Sequence, residues 1–146
     1  MKRREMLKAM AMVSAMAGIG PMEASSAQPG GASAGAGPVF ELRVYHTNEG
    51  KLDDLLARFR DHTLTIFKRH GMESVGYWTP MDEPLKGRTL FYMLKHPSRE
   101  AATANWAAFN NDPEWKQISA ATNANGRLVA QTDSTFLVLT DFSPRL

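Results

Sequence analysis

The chain of 146 residues has no cysteine. Disulfides, thiolate metal sites and cysteine nucleophiles are therefore excluded. There is no Gly-rich phosphate loop and no Gly-x-Ser-x-Gly elbow, which removes the familiar nucleotide-binding and serine-hydrolase signatures. No apolar run approaches the roughly 20 residues a membrane-spanning helix needs. No repeat of solenoid period is visible. Surplus charge is also lacking where it would matter. The formal charge is +2, but residues 1–27 hold four of the 17 basic and two of the 15 acidic residues, leaving 13 of each over 28–146. A balanced surface offers no footing for nucleic acid, which needs a basic surplus on one face.

What is present falls into four parts. Residues 1–27 read as an export signal: a charged start at Lys2-Arg3-Arg4, a short apolar stretch from Ala9 to Ile19, and small residues Ser25-Ser26-Ala27 at the end. Arg3-Arg4-Glu5-Met6-Leu7-Lys8 is similar to the twin-arginine motif, with Met6 in place of Phe. That resemblance implies export of a folded protein to the periplasm or beyond it. Residues 28–38 (QPGGASAGAGP) read as a flexible linker. Residues 39–142 form the domain, and 143–146 a tail.

The domain opens with its clearest unit. Val39 to His46 is a strand. Lys51 to His70 is a helix whose Leu52, Leu55, Leu56, Phe59, Thr63, Ile66, Phe67 and His70 share one face at about 100° per residue. Asp53 and Asp54 suit the start of that helix, Lys68 and Arg69 its end, and Gly71 its left-handed stop. Met72 to Thr79 is a second strand, with Gly76 marking a bulge or a close backbone approach beside Trp78. Arg88 to His96 is a third strand. Ser98 caps an Ala-rich helix over 101–109, and Asp112-Pro113-Glu114 restarts another. Asn123 to Gly126 stops it, and Thr135 to Thr140 reads as the last strand. The order β-α-β-β-α-α-β is a split βαβ, ferredoxin-like α+β fold.

These strands do not alternate cleanly. Phe40, Leu42 and Val44 form one face of the first strand, and Glu41, Arg43 and Tyr45 the other; the last strand is apolar on both. Helices cover only one side of such a sheet. The remaining apolar face predicts a homodimer, sheet against sheet, closing into a barrel. On the face turned to a partner, Arg43 either pairs with a Glu to fix subunit register or recognises an anionic ligand.

Several stretches then point to one family. Phe40-Glu41-Leu42-Arg43-Val44-Tyr45, Gly50-Lys51-Leu52, Lys68-Arg69-His70-Gly71, Val75-Gly76-Tyr77-Trp78 and Asp112-Pro113-Glu114-Trp115 resemble, in order and spacing, the NIPSNAP family. The resemblance implies a dimeric α+β barrel, of the superfamily that includes cofactor-free antibiotic-biosynthesis monooxygenases. The chain departs from many members at the third strand, Phe91-Tyr92-Met93-Leu94-Lys95, where they carry a Trp or Tyr followed by acidic residues.

Candidate chemistry rests on few side chains. His62 and His70 lie about 80° apart on their helix, and the four histidines form no metal set by spacing. His62, at the margin of the apolar face, either orients a polar ligand or simply meets solvent. Tyr77, Trp78, Tyr92, Trp106 and Trp115 supply aromatic surface, and Met72, Met81 and Met93 fill gaps. The pocket candidates are Arg43, Tyr45, His62, Trp78, Tyr92 and Trp106. Three functions compete. One is a barrel that binds a small apolar or aromatic molecule, without catalysis or cofactor. One is a cofactor-independent monooxygenase acting on an aromatic substrate. One is a haem-binding protein with His62 or His70 as axial ligand.

Overall fold

The structure is a computed structural model, and it describes residues 37–146. The expected export signal at 1–27 and the expected linker's residues 28–36 lie outside the described residues. The chain runs β1 (Val39–Thr47), α1 (Leu52–Arg58), a π-helical turn (Phe59–Thr63), α2 (Leu64–Arg69), β2 (Glu73–Trp78), β3 (Thr89–His96), α3 (Arg99–Asn111), α4 (Pro113–Thr122) and β4 (Val129–Leu137). One antiparallel sheet has the order β2-β3-β1-β4, as the split βαβ reading requires.

The long helix forms where its apolar period predicts, but it is not uniform. Over Phe59–Thr63 each turn takes up one extra residue, and the Thr63 hydroxyl donates 3.3 Å to the carbonyl of Arg58, five residues back. Such single wide turns are often found at functional positions. His70 leaves the helix and Gly71, at φ 73°, turns the chain into β2. Ser98 accepts the Ala101 N–H at 3.0 Å and so caps α3. Asp112 caps α4 through Glu114 and Trp115, and also receives Arg69 at the end of α2 and His70 just beyond it.

The helix side of the sheet holds the core. Leu55, Ile66, Phe67, Met72, Leu90, Tyr92, Leu94 and Leu128 are at most 1 % exposed. Phe67 meets Phe59, Tyr92, Trp106 and Phe109 with ring centroids 5.0–6.1 Å apart. Truncating so enclosed a ring to alanine costs about 3–5 kcal/mol. Ala102, fully buried, lets α3 lie close on the strands.

Two expectations are corrected. The last strand spans Val129–Leu137, not Thr135 to Thr140. Its ladder with β1 runs through Gln131, Thr132, Asp133 and Ser134, polar residues that hide it from a search for apolar runs. It is therefore not apolar on both faces. The second correction concerns β1. Glu41, Arg43 and Tyr45 face the helices, because they share rows with buried Leu94, Tyr92 and Leu90 of β3. The Arg43–Glu41 ion pair is made within one strand and does not set a subunit register on the open face. The open face instead carries Leu42, Val44, Phe91 and Met93, each half-buried, with Trp78 52 % exposed at its margin. Lys95 on that face donates to the carbonyl of Leu146, bringing the C-terminus against one end of it.

Gly76 sits where the β2–β3 register shifts. A Cβ there would come within 2.6 Å of the Trp78 ring. Gly76→Ala should displace that exposed ring at a cost of about 1 kcal/mol. In a Trp78→Ala background the same change should be neutral or slightly stabilising, since alanine restricts the unfolded chain. A double-mutant cycle by urea denaturation checks both.

Candidate functional site

The helix side of the sheet centre is built from one charged row and one aromatic row. Glu41, 1 % exposed, is the hub. Its Oε1 accepts from Trp106 Nε1 at 2.7 Å and His96 Nε2 at 3.0 Å. Its Oε2 accepts from Arg43 Nη1 and Ser134 Oγ, both at 2.8 Å. Burial alone would push this carboxyl up. The bonds from His96, Trp106, Arg43 and Ser134 together outweigh it and bring the carboxyl down to about 2. Glu41 is thus an ionised acceptor with every lone pair in use, which makes it a structural anchor and not a general base.

Arg43 lies 4.2 Å over the Trp106 ring and 5.5 Å from the Tyr45 ring. Burial pulls its guanidinium down, but Tyr92, Tyr45 and Glu41 hold it firmly charged. Tyr92, fully buried, donates its hydroxyl to Tyr45 at 2.9 Å, and burial keeps its proton on. Tyr77 stacks on Tyr92 at 5.5 Å, and Phe59 packs edge-on against both Tyr45 and Tyr77.

An apolar cleft of about 240 Å³ opens beside this array, lined by Leu56, Phe59, Arg60, Leu64, Tyr77 and Leu90. It lies between the π-helical turn with its flanks and strands β2 and β3.

Four of the six pocket candidates come together: Arg43, Tyr45, Tyr92 and Trp106 form one contiguous cluster. Trp78 sits on the opposite face of the sheet, in the row of Phe91 and Val44. His62 is half-buried on the π-helical turn and does not line the cleft. His70 is held by Asp112 at 2.6 Å. Neither histidine thus presents a ligand nitrogen to the cleft, and these residues do not fit a haem there. No group of three or more metal-ligating side chains occurs among the described residues. Sequence reasoning missed Arg58, which is 6 % exposed and packs 5.1 Å over Trp115. Its spacing of three from Leu55 was the available signal, masked by its charge. It also missed Glu41 as the hub.

The sequence profile of the NIPSNAP family matches residues 40–144. The chain belongs to the NIPSNAP family. Solved structures agree on the fold. A NIPSNAP-like domain protein from Burkholderia xenovorans aligns with TM-score 0.65 at 19 % identity, over 76 % of this chain and 92 % of that one. A NIPSNAP family protein from Agrobacterium tumefaciens gives 0.64 at 21 %, over 73 % and 97 %. SnoaB, a cofactor-independent oxygenase from Streptomyces nogalater, gives 0.50 at 14 %, over 75 % and 100 %. No curated protein matches the chain.

The hub makes stability depend on pH. A depressed native carboxyl contributes fully above the ordinary Glu range and is lost as pH falls toward its native value. Unfolding free energy should therefore fall by about 3 kcal/mol between roughly pH 5 and pH 2 on account of Glu41, whose native pKa is about 2. Glu41→Gln should remove that share of the acid loss and destabilise the protein at pH 7 by a similar amount, since it leaves Arg43 without its carboxylate. Denaturant melts across that pH range measure both.

Proposed function

We propose that this NIPSNAP protein is an exported homodimeric barrel that binds a small apolar or aromatic molecule and has no catalysis of its own. The cleft between the π-helical turn and β2–β3 carries the reading. Of its six lining residues only Arg60 and Tyr77 carry polar groups, the composition that small-molecule sites favour. At about 240 Å³ it falls just below the range of drug-sized pockets, which suits a ligand of one or two rings. The dimer is supported by the half-covered row of Leu42, Val44, Phe91 and Met93 on the open face, which a second copy would bury. Export is supported by Arg3-Arg4 and the weakly apolar stretch that follows. The oxygenase alternative rests on likeness of fold alone, and function lives in sites rather than folds.

Indole, a neutral bicyclic probe, should bind the purified protein measurably by calorimetry. Leu56→Trp, which fills the cleft, should weaken it by roughly tenfold or more while native mass spectrometry still reports two chains. Absence of indole binding, or binding indifferent to Leu56→Trp, rejects the cleft. A single chain at micromolar concentration rejects the barrel. Oxygen consumption with polyphenol substrates would replace plain binding by the oxygenase reading.

A further inference from the structure

The buried charges on the helix side do not balance. Arg43 has Glu41. Arg58 has no carboxylate among the described residues. Its one hydrogen bond there goes from Nη1 to the Thr122 hydroxyl at 3.3 Å. Its Nε is buried without a partner, and so is that of Arg43. Burying a guanidinium with unused donors is costly unless something meets them.

The neighbours are donors too. The Tyr45 oxygen accepts from Tyr92 at 2.9 Å and from Arg43 at 3.5 Å, which leaves its own proton to give. The Arg43 guanidinium lies 4.2 Å from the centre of the Trp106 ring, and that of Arg58 5.1 Å from the centre of the Trp115 ring. The Arg43 side chain is 16 % exposed, so solvent reaches this side of the cluster. Phe59 separates the cluster from the apolar cleft, touching Tyr77 on one side and Tyr45 on the other.

We infer that Arg58, held by the Thr122 hydroxyl and the Trp115 ring, anchors an anion site for a small aromatic carboxylate, distinct from the apolar cleft, whose lining does not include it. A planar carboxylate matches the fork of a guanidinium. Burial pulls the Arg58 guanidinium down, and Tyr45 and Tyr92 offset this only in part. A bound anion would restore the balance. The inference does not depend on the cleft.

Benzoate is the probe, benzyl alcohol its neutral control, and the full chain the protein. Benzoate should quench the tryptophan fluorescence and bind at least tenfold more tightly than benzyl alcohol at pH 7, an advantage of the size charge-assisted hydrogen bonds supply. Arg58→Met should abolish that preference. It should also leave the Tm of the unliganded protein unchanged or raised, because it removes an uncompensated buried charge. Leu56→Trp should leave benzoate binding intact. Should Arg58→Met not fold, Arg58→Lys keeps the charge without the fork, and should weaken benzoate binding severalfold while still preferring benzoate to benzyl alcohol. Equal affinity for the two probes overturns the site, as does a preference that survives Arg58→Met. Loss of benzoate binding in Leu56→Trp overturns the separation of the two sites. An Arg58→Met protein of lowered Tm that still prefers benzoate would make Arg58 a structural residue only.

Discussion

The interior of this domain depends on one buried carboxylate. Glu41 joins four elements through four donors: Arg43 on its own strand, His96 on β3, Ser134 on β4 and Trp106 on α3. Each bond is unremarkable alone. Together they keep an anion ionised where burial would neutralise it, and they tie the helix layer to three strands of the sheet. A hydrophobic residue there would fill the space, but it would specify no angle between α3 and the strands. A buried anion accepts only certain arrangements of donors, so it selects among packings.

Around that anchor the aromatic rings grade from rigid to accessible. Phe67 and Tyr92 are enclosed. Tyr77 and Phe59 form the inner wall of the cleft. The cleft lies beside the wide turn of the first helix at Phe59–Thr63, with Leu56, Phe59, Arg60 and Leu64 on the helix side and Tyr77 and Leu90 on the strands. The same turn follows directly on Arg58, the buried cation that faces α4 through Trp115 and Thr122.

Much of the fold was legible because local signals agreed. Gly71, Ser98 and the Asp112-Pro113-Glu114 start each did what their chemistry predicts. The family resemblance implied the same α+β fold. The site was legible only in part. Arg43, Tyr45, Tyr92 and Trp106 were singled out and do converge, but on the helix side. The notion that β1 turned its polar residues toward a partner failed because alternation says which residues share a face and not which face meets the helices. Arg58 passed unnoticed because a charged residue on an amphipathic helix normally reads as solvated. Trp78 looked like a pocket residue beside Gly76, yet the β2 bulge and strand pairing put it on the other face of the sheet.

Periodicity and caps act over three or four residues, so the chain alone determined its elements, their order and the stops between them. β4 shows the limit. Its polar residues have no apolar period, and they are a strand only because β1 offers them a ladder from Phe40 to Thr47. The hub, the ring cluster and the cleft are of the same kind. They join residues up to 93 positions apart, and no local pattern encodes a contact whose partner lies on another element. Tertiary packing decided which face of β1 is inside, where the helix widens and which arginine has no counter-ion among the described residues.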